Sequence, residues 1–222
     1  MSVLDDVIRS SGYTERILNE RQLADILGGS AARRYGIVNR ALKSRSLIRI
    51  KRGLYVLPTH LSSAPLHPFV VAQALHPGSY VSFESALAFH GWIPEAVLQT
   101  ASVTPGRKSF GYDTETFGSF TFLPLALQSY QFLVGVESKR LGQATALVAS
   151  PVRALMDIVA YRKVNWQGLS WITDGLRVDI DELTGVDPRK LEELRHVYKH
   201  TNTKEFSNKL YEACLKSNGS KR

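Results

Sequence analysis

The chain reads as a mixed α+β protein in two parts, an N-terminal set of three short helices with a basic two-stranded ribbon and a larger mixed α/β region after it. Three observations predict this. At 222 residues the chain exceeds the usual size of one domain. Helical spacing with capping residues recurs before residue 46, and two β-type runs then flank Lys51-Arg52-Gly53. From Thr59 to Pro65 the chain is rich in serine and punctuated by proline, as linkers are, which predicts domains at 1–60 and 66–222.

Ser2 with Asp5 forms a capping-box pattern ahead of Val3, Leu4, Val7 and Ile8, which recur at helical spacing, and Gly12 closes this first helix. Asn19 with Gln22 repeats the pattern before Leu23, Ala24, Ile26 and Leu27, and Gly28-Gly29 ends the second helix. Ser30 caps a third helix over Ala31 to Arg45. Leu47 to Ile50 and Leu54 to Leu57 then read as strands, with Gly53 supplying the backbone freedom of a tight hairpin. Three helices followed by a ribbon is the order of a winged helix-turn-helix.

Beyond the linker, helices are expected from His67 to Leu75 and from Ser82, as cap, to His90. β-type runs fall near Val97 to Val103, Gly118 to Leu123, Gln131 to Val136 and Thr145 to Ala149. Ser150-Pro151 and Asp187-Pro188 each place a cap before a proline at the first helical position, predicting helices to about Tyr161 and His200. A last helix covers Lys204 to Leu215, with SNGSKR as a frayed tail.

Composition narrows the function classes. No apolar run reaches the ~18 residues of a membrane span, and MSVLDDVIRS carries acids where a signal peptide carries basic residues, so the expected location is the cytoplasm. A lone Cys214 supplies neither an internal disulfide nor a thiolate cluster for a metal, and no cofactor is expected. The net charge of +8 is unevenly spread. Residues 1–58 hold 11 Lys/Arg against 5 Asp/Glu, a net of +6, and Arg33 to Arg52 holds eight basic residues and no acid. Such a segment points to a polyanion as partner.

On a helical wheel Ala31, Tyr35, Val38 and Leu42 share a stripe suited to packing, while Arg33, Gly36, Arg40, Lys43 and Ser44 face outward. That is the arrangement of a recognition helix, with arginine forks for guanine edges in the major groove and a glycine permitting close approach. Arg34 and Arg45 lie at its flanks, suited to phosphates, and Arg49, Lys51 and Arg52 extend the basic surface along the ribbon LIRIKRGLYVLP. A basic helix alone is ordinarily a solvated face. Its coincidence with the helix, turn, helix, ribbon order is what selects double-stranded DNA, and the few aromatics in the basic segment, Tyr35 and Tyr55, argue against single-stranded RNA.

Two weaker constellations are present. Glu137-Ser138-Lys139 after an apolar run, with Asp113 or Glu115 as a second carboxylate, would suit a Mg²⁺-dependent DNA nuclease delivered by the winged helix, although no Pro-Asp precedes it. A solvated turn is the simpler reading. His196 and His200 have helical i, i+4 spacing suited to zinc, but no acid lies between them. The stretch from Tyr80 to Gly91 fits a packed core helix, with Ser82 as its cap.

LIRIKRGLYVLP, HPFVVAQAL with GSYVSFESALAFHGWIPE, and SPVRALMDIV together resemble the AbiEi-like antitoxins of type IV toxin–antitoxin (abortive infection) systems. The likeness spans most of the chain and thins after Asp187. It implies a winged helix that binds promoter inverted repeats and represses its own operon, with DNA roles on Arg33, Arg40, Lys43, Arg49, Lys51 and Arg52. It also implies a C-terminal antitoxin domain that counteracts a nucleotidyltransferase-like toxin, with Arg189, Lys190, Arg195 and Lys199 as candidate surface.

Overall fold

The computed structural model describes residues 3–12, 17–58 and 65–219. The Ser2 cap with Asp5, the linker over residues 59–64 and the last three residues of the tail lie outside the described residues. The fold is mixed α+β with two sheets. Two compact units divide it. The first comprises residues up to Pro77 with Thr114–Phe117 and Arg140–Ala146, and the second comprises Gly78–Asp113, Gly118–Lys139 and the chain from Leu147 onward.

The first unit contains α1 (Val3–Ser10), β1 (Leu18–Asn19), α2 (Glu20–Leu27), α3 (Ala31–Lys43), β2 (Ile48–Lys51), β3 (Leu54–Val56) and α4 (Pro68–Leu75). The caps form as their chemistry dictates. Asn19 and Gln22 exchange two 2.9 Å hydrogen bonds in a reciprocal capping box, and Gly28 ends α2 at φ 57°. Ser30 accepts from the Arg33 N–H at the start of α3. The two strands of the ribbon pair antiparallel, with an irregularity in register between Arg49 and Lys51. A third strand, β1, pairs antiparallel with β3 on its other side. Leu4, Ile8, Leu18, Leu23, Ala41, Leu47, Tyr55 and Leu57 form the small core on which these elements meet. Helix α4, expected to open the second domain, is grouped with the first unit, where the Lys51 ammonium donates to the Leu75 carbonyl at 2.6 Å.

The second unit holds β4 (Tyr80–Val81), α5 (Phe83–Phe89), β5 (Gln99–Thr104), β6 (Phe110–Thr114), β7 (Gly118–Pro124), β8 (Val136–Leu141), β9 (Ala144–Ala149), α6 (Pro151–Arg162), α7 (Ser170–Thr173), α8 (Ile180–Thr184), α9 (Pro188–Leu194) and α10 (Thr201–Gly219), apart from Thr114 of β6, Arg140 and Leu141 of β8 and Ala144 to Ala146 of β9, which group with the first. Its sheet has the order β6-β7-β5-β4-β9-β8. β4 is antiparallel to β5 and parallel to β9, and β5 is parallel to β7. The apolar run Gln131 to Val136 is not a strand up to its last residue, Val136, which opens β8. It forms turns, and the strand that follows, β8, is the polar stretch VESKRL. α9 stops at Leu194, short of the expected end at His200, and α10 runs on to Gly219.

Helix α6 carries a fully buried ion pair. The Arg153 and Asp157 side chains are fully buried one helical turn apart, with Arg153 Nε donating to Asp157 Oδ1 at 2.9 Å. Asp157 also accepts from the hydroxyls of Tyr198 at 2.7 Å, Ser82 at 2.7 Å and Tyr80 at 3.0 Å. Arg153 donates further to the Val134 carbonyl and the Tyr80 hydroxyl, each at 2.6 Å. Ser82 therefore stands at the cap position of α5 without capping it, since its hydroxyl is committed to Asp157.

Removing one member leaves the other as an uncompensated buried charge, a loss of about 3–5 kcal/mol in comparable pairs. Asp157→Ala is expected to cost that much in urea unfolding, and a loss under ~1 kcal/mol would contradict the assignment. Burial, followed by the Asp157 charge, pushes the Tyr80 hydroxyl well above its ordinary range. Burial does the same to Tyr198, with the Asp157 charge adding to it and the Arg153 charge opposing it. The folded state then holds protons that the unfolded chain releases, so stability present below about pH 10 should fall as pH rises above it. Tyrosine ultraviolet absorbance recorded with circular dichroism should show these two ionising only as the chain unfolds.

Candidate nucleic-acid interface

Helix α3 packs by Ala41, with Ile37, Val38 and Leu42 partly buried against the core. Tyr35 and Ala31, expected in the packed stripe, are exposed, Tyr35 to 73 %. The stripe is rotated because the core lies toward Ile37 and Ala41, and Tyr35 is left at one flank of the helix. A groove runs along each side of α3. One, about 550 Å³, has an apolar floor that includes Leu4, Val7, Ile26 and Ile37, with Arg33, Arg40 and Ser44 along its α3 side. The other, about 410 Å³, is lined by residues including Arg21, Leu23, Arg34, Tyr35 and Tyr55.

The basic residues expected to bind DNA fall into distinct groups. Arg33 and Arg34 are turned back on the preceding turn, where they donate to the Leu27 and Gly29 carbonyls respectively. Those carbonyls lie at and just past the end of α2 and need donors, so both guanidiniums are partly occupied in holding the turn between α2 and α3. Lys51, expected to reach phosphate, instead sits half-buried with its ammonium on the last turn of α4, and burial lowers its pKa. A carbonyl-rich helix C-terminus is a natural seat for a cation. Arg40, Lys43, Arg45, Arg49 and Arg52 are exposed, and among the described residues no carboxylate pairs with any of them. Ser44 is exposed, and its hydroxyl is shared between the Ala41 carbonyl and Ser46.

Arg45 has a backbone that sequence reasoning missed. Its φ is +55°, the Ser46 N–H reaches back to Ala41 O at 3.0 Å and its own N–H to Leu42 O at 3.2 Å. This is a Schellman closure of α3, in which the left-handed position ordinarily belongs to glycine. A side chain there costs about 1–2 kcal/mol. Gly36 presents the opposite case. It lies within α3 with ordinary helical backbone, and a Cβ placed on it would meet only the flexible tip of Arg40 at 3.3 Å. The fold uses an arginine where glycine is cheaper and a glycine where alanine is cheaper.

The weaker constellations are not assembled. Strands β6 and β8 are the two outer strands of the sheet, so Asp113 and Glu137 are separated by four intervening strands, about 24 Å across the sheet. Asp113 accepts from the Ser119 hydroxyl at 2.6 Å, Glu115 lies in the turn after β6, and Glu137 is paired with Lys139 at 2.5 Å. The hydrogen bond from Lys139 lowers the Glu137 pKa, which holds that carboxylate in an ordinary exposed ion pair. His196 and His200 do not share a helix, because α9 ends at Leu194. On the candidate antitoxin surface, Arg195 is bound to Glu192 and Asn208 and lies over the Tyr211 ring. Arg189 stands 3.6 Å from Asp187, while Lys190 and Lys199 are exposed.

Arg45→Gly is expected to raise the stability of the chain by about 1 kcal/mol, read as an upward shift of the thermal midpoint. A drop in the midpoint would show that the Arg45 side chain holds the closure of α3 together.

No family model matches the chain, and no curated protein matches it in sequence.

Proposed function

We propose that the chain is an AbiEi-like antitoxin and cytoplasmic autorepressor whose first unit is a winged helix-turn-helix. In this reading α2 and α3 form the helix-turn-helix and the hairpin of β2 and β3 is the wing. The observation that carries it is the set Arg40, Lys43, Arg45, Arg49 and Arg52. These exposed cations stand on α3, its closing turn and the ribbon, in a segment without an acid from Arg33 to Arg52. Arg45 strengthens the reading, since a strained side chain is kept where glycine would close the helix more cheaply, and such strain gathers at functional sites. Arg33 and Arg34 shape the turn, and Lys51 joins the ribbon to α4. The second unit is the antitoxin part, counteracting a nucleotidyltransferase-like toxin, with Lys190 and Lys199 the exposed cations of its candidate surface.

The DNA partner is the promoter of its own operon, bound at inverted repeats by two copies of the chain. If the five exposed cations each neutralise one phosphate, log affinity should fall against log salt with a slope near −4.5. Fluorescence anisotropy of the full chain on a duplex taken from upstream of its own coding sequence measures this. Arg40→Ala with Lys43→Ala is expected to abolish binding at physiological salt and to leave toxin neutralisation in co-expressing cells intact. Unchanged affinity in that double variant would overturn the reading.

A further inference from the structure

Two α3 flanks are already accounted for. Ala31, Arg34, Tyr35 and Val38 line one groove, and Arg33, Ile37, Arg40 and Ala41 line the other, while Leu42 packs on the core. The residues of α3 that do none of these are Ala32, Gly36, Asn39 and Lys43. Their spacing is i, i+4, i+7 and i+11, one continuous ridge along the helix. Arg33 and Arg40, which the sequence suggested as base readers, stand beside that ridge on the α1 side, where the sugar-phosphate strand passes when a helix lies in a major groove.

Resting on the DNA-binding reading above, we propose that Asn39 is the base-reading residue of this protein and that its target is an adenine in each operator half-site. An asparagine amide offers one acceptor and a pair of donors, which matches the N6 amino group and N7 of adenine in a bidentate contact. Arginine and lysine, by contrast, match guanine or phosphate. Asn39 sits midway along the ridge, between Gly36 one turn before and Lys43 one turn after. Gly36 is the second observation. A glycine inside a helix is less favourable than an alanine, and nothing in the fold requires one here. Its use is external: without a Cβ the helix axis lies closer to the base pairs, which brings the short asparagine side chain within reach of their edges. Lys43 at the end of the ridge anchors the helix by charge, and Arg40 is a strand contact.

The test uses the full chain and two duplexes of equal length and base composition, one from upstream of its own coding sequence and one with that sequence scrambled. Asn39→Ala is expected to lower affinity for the first by at least ~5-fold, while affinity for the scrambled duplex and the salt slope stay as in the wild type. Alanine is a better helix former than asparagine, so loss of folding does not confuse the result. Replacing one adenine of the footprint with 7-deazaadenine, which removes N7, should weaken the wild type and have no further effect on Asn39→Ala. An Asn39→Ala chain that keeps the wild-type ratio between the duplexes, or that loses affinity for both equally, overturns the role of Asn39 alone. A wild-type chain that binds the two duplexes alike overturns the repressor reading and this role with it.

Discussion

A guanidinium and a carboxylate with no exposure to water hold the second unit together. Asp157 has both oxygens filled by donors, from Arg153, Tyr198, Ser82 and Tyr80, and Arg153 reaches out from the same helix to the Val134 carbonyl. These partners come from β4, the cap position of α5, the turns before β8 and the segment after α9. Burial works against the charge on Arg153, but Asp157 and the two tyrosines more than offset it and its pKa is raised, so the guanidinium stays charged. The penalty for breaking such a pair is much larger than the stability it adds over an apolar core. Its consequence is therefore specificity of arrangement. The turns over residues 131–134 and Tyr198 are placed where they supply partners to the buried pair.

The first unit is organised on different terms. Its apolar core is small, and its caps and turn closures carry much of the definition of its helices. Some of its cations are drawn into those closures. Arg33 and Arg34 hold the turn after α2, and Lys51 closes α4. The other five of the eight cations from Arg33 to Arg52, namely Arg40, Lys43, Arg45, Arg49 and Arg52, are exposed. A cation used to satisfy a helix end cannot also be a strong phosphate contact, so the excess of positive charge in the sequence overstates the charge offered to a partner.

Much of the local structure was legible from residue chemistry alone. Asn19, Ser30, Ser150 and Asp187 all begin helices where their side chains accept a backbone N–H, and the ribbon around Gly53 has its expected place. The misses have physical causes. Strands β1 and β4 are two residues long and show no periodicity. The polar strand β8 lies at a sheet edge, where an alternating apolar face is not required, and the apolar run before it is consumed in turns that cover Arg153. Tyr35 was misplaced because the wheel gives relative angles and leaves open which side the core takes. The Arg153 and Asp157 spacing was visible as i, i+4, but Tyr80 and Tyr198 lie 77 and 41 residues from Asp157, and nothing local announces that they meet it.

The proposed function requires the outward cations of α3, its closing turn and the ribbon to meet one duplex. Acetylation of lysines in the full chain, with and without a duplex from upstream of its coding sequence, tests this by mass spectrometry. The duplex should shield Lys43 strongly and leave Lys190 and Lys199 as reactive as in the free chain. Shielding of Lys190 and Lys199 with Lys43 unprotected would place the nucleic acid on the second unit and contradict the account.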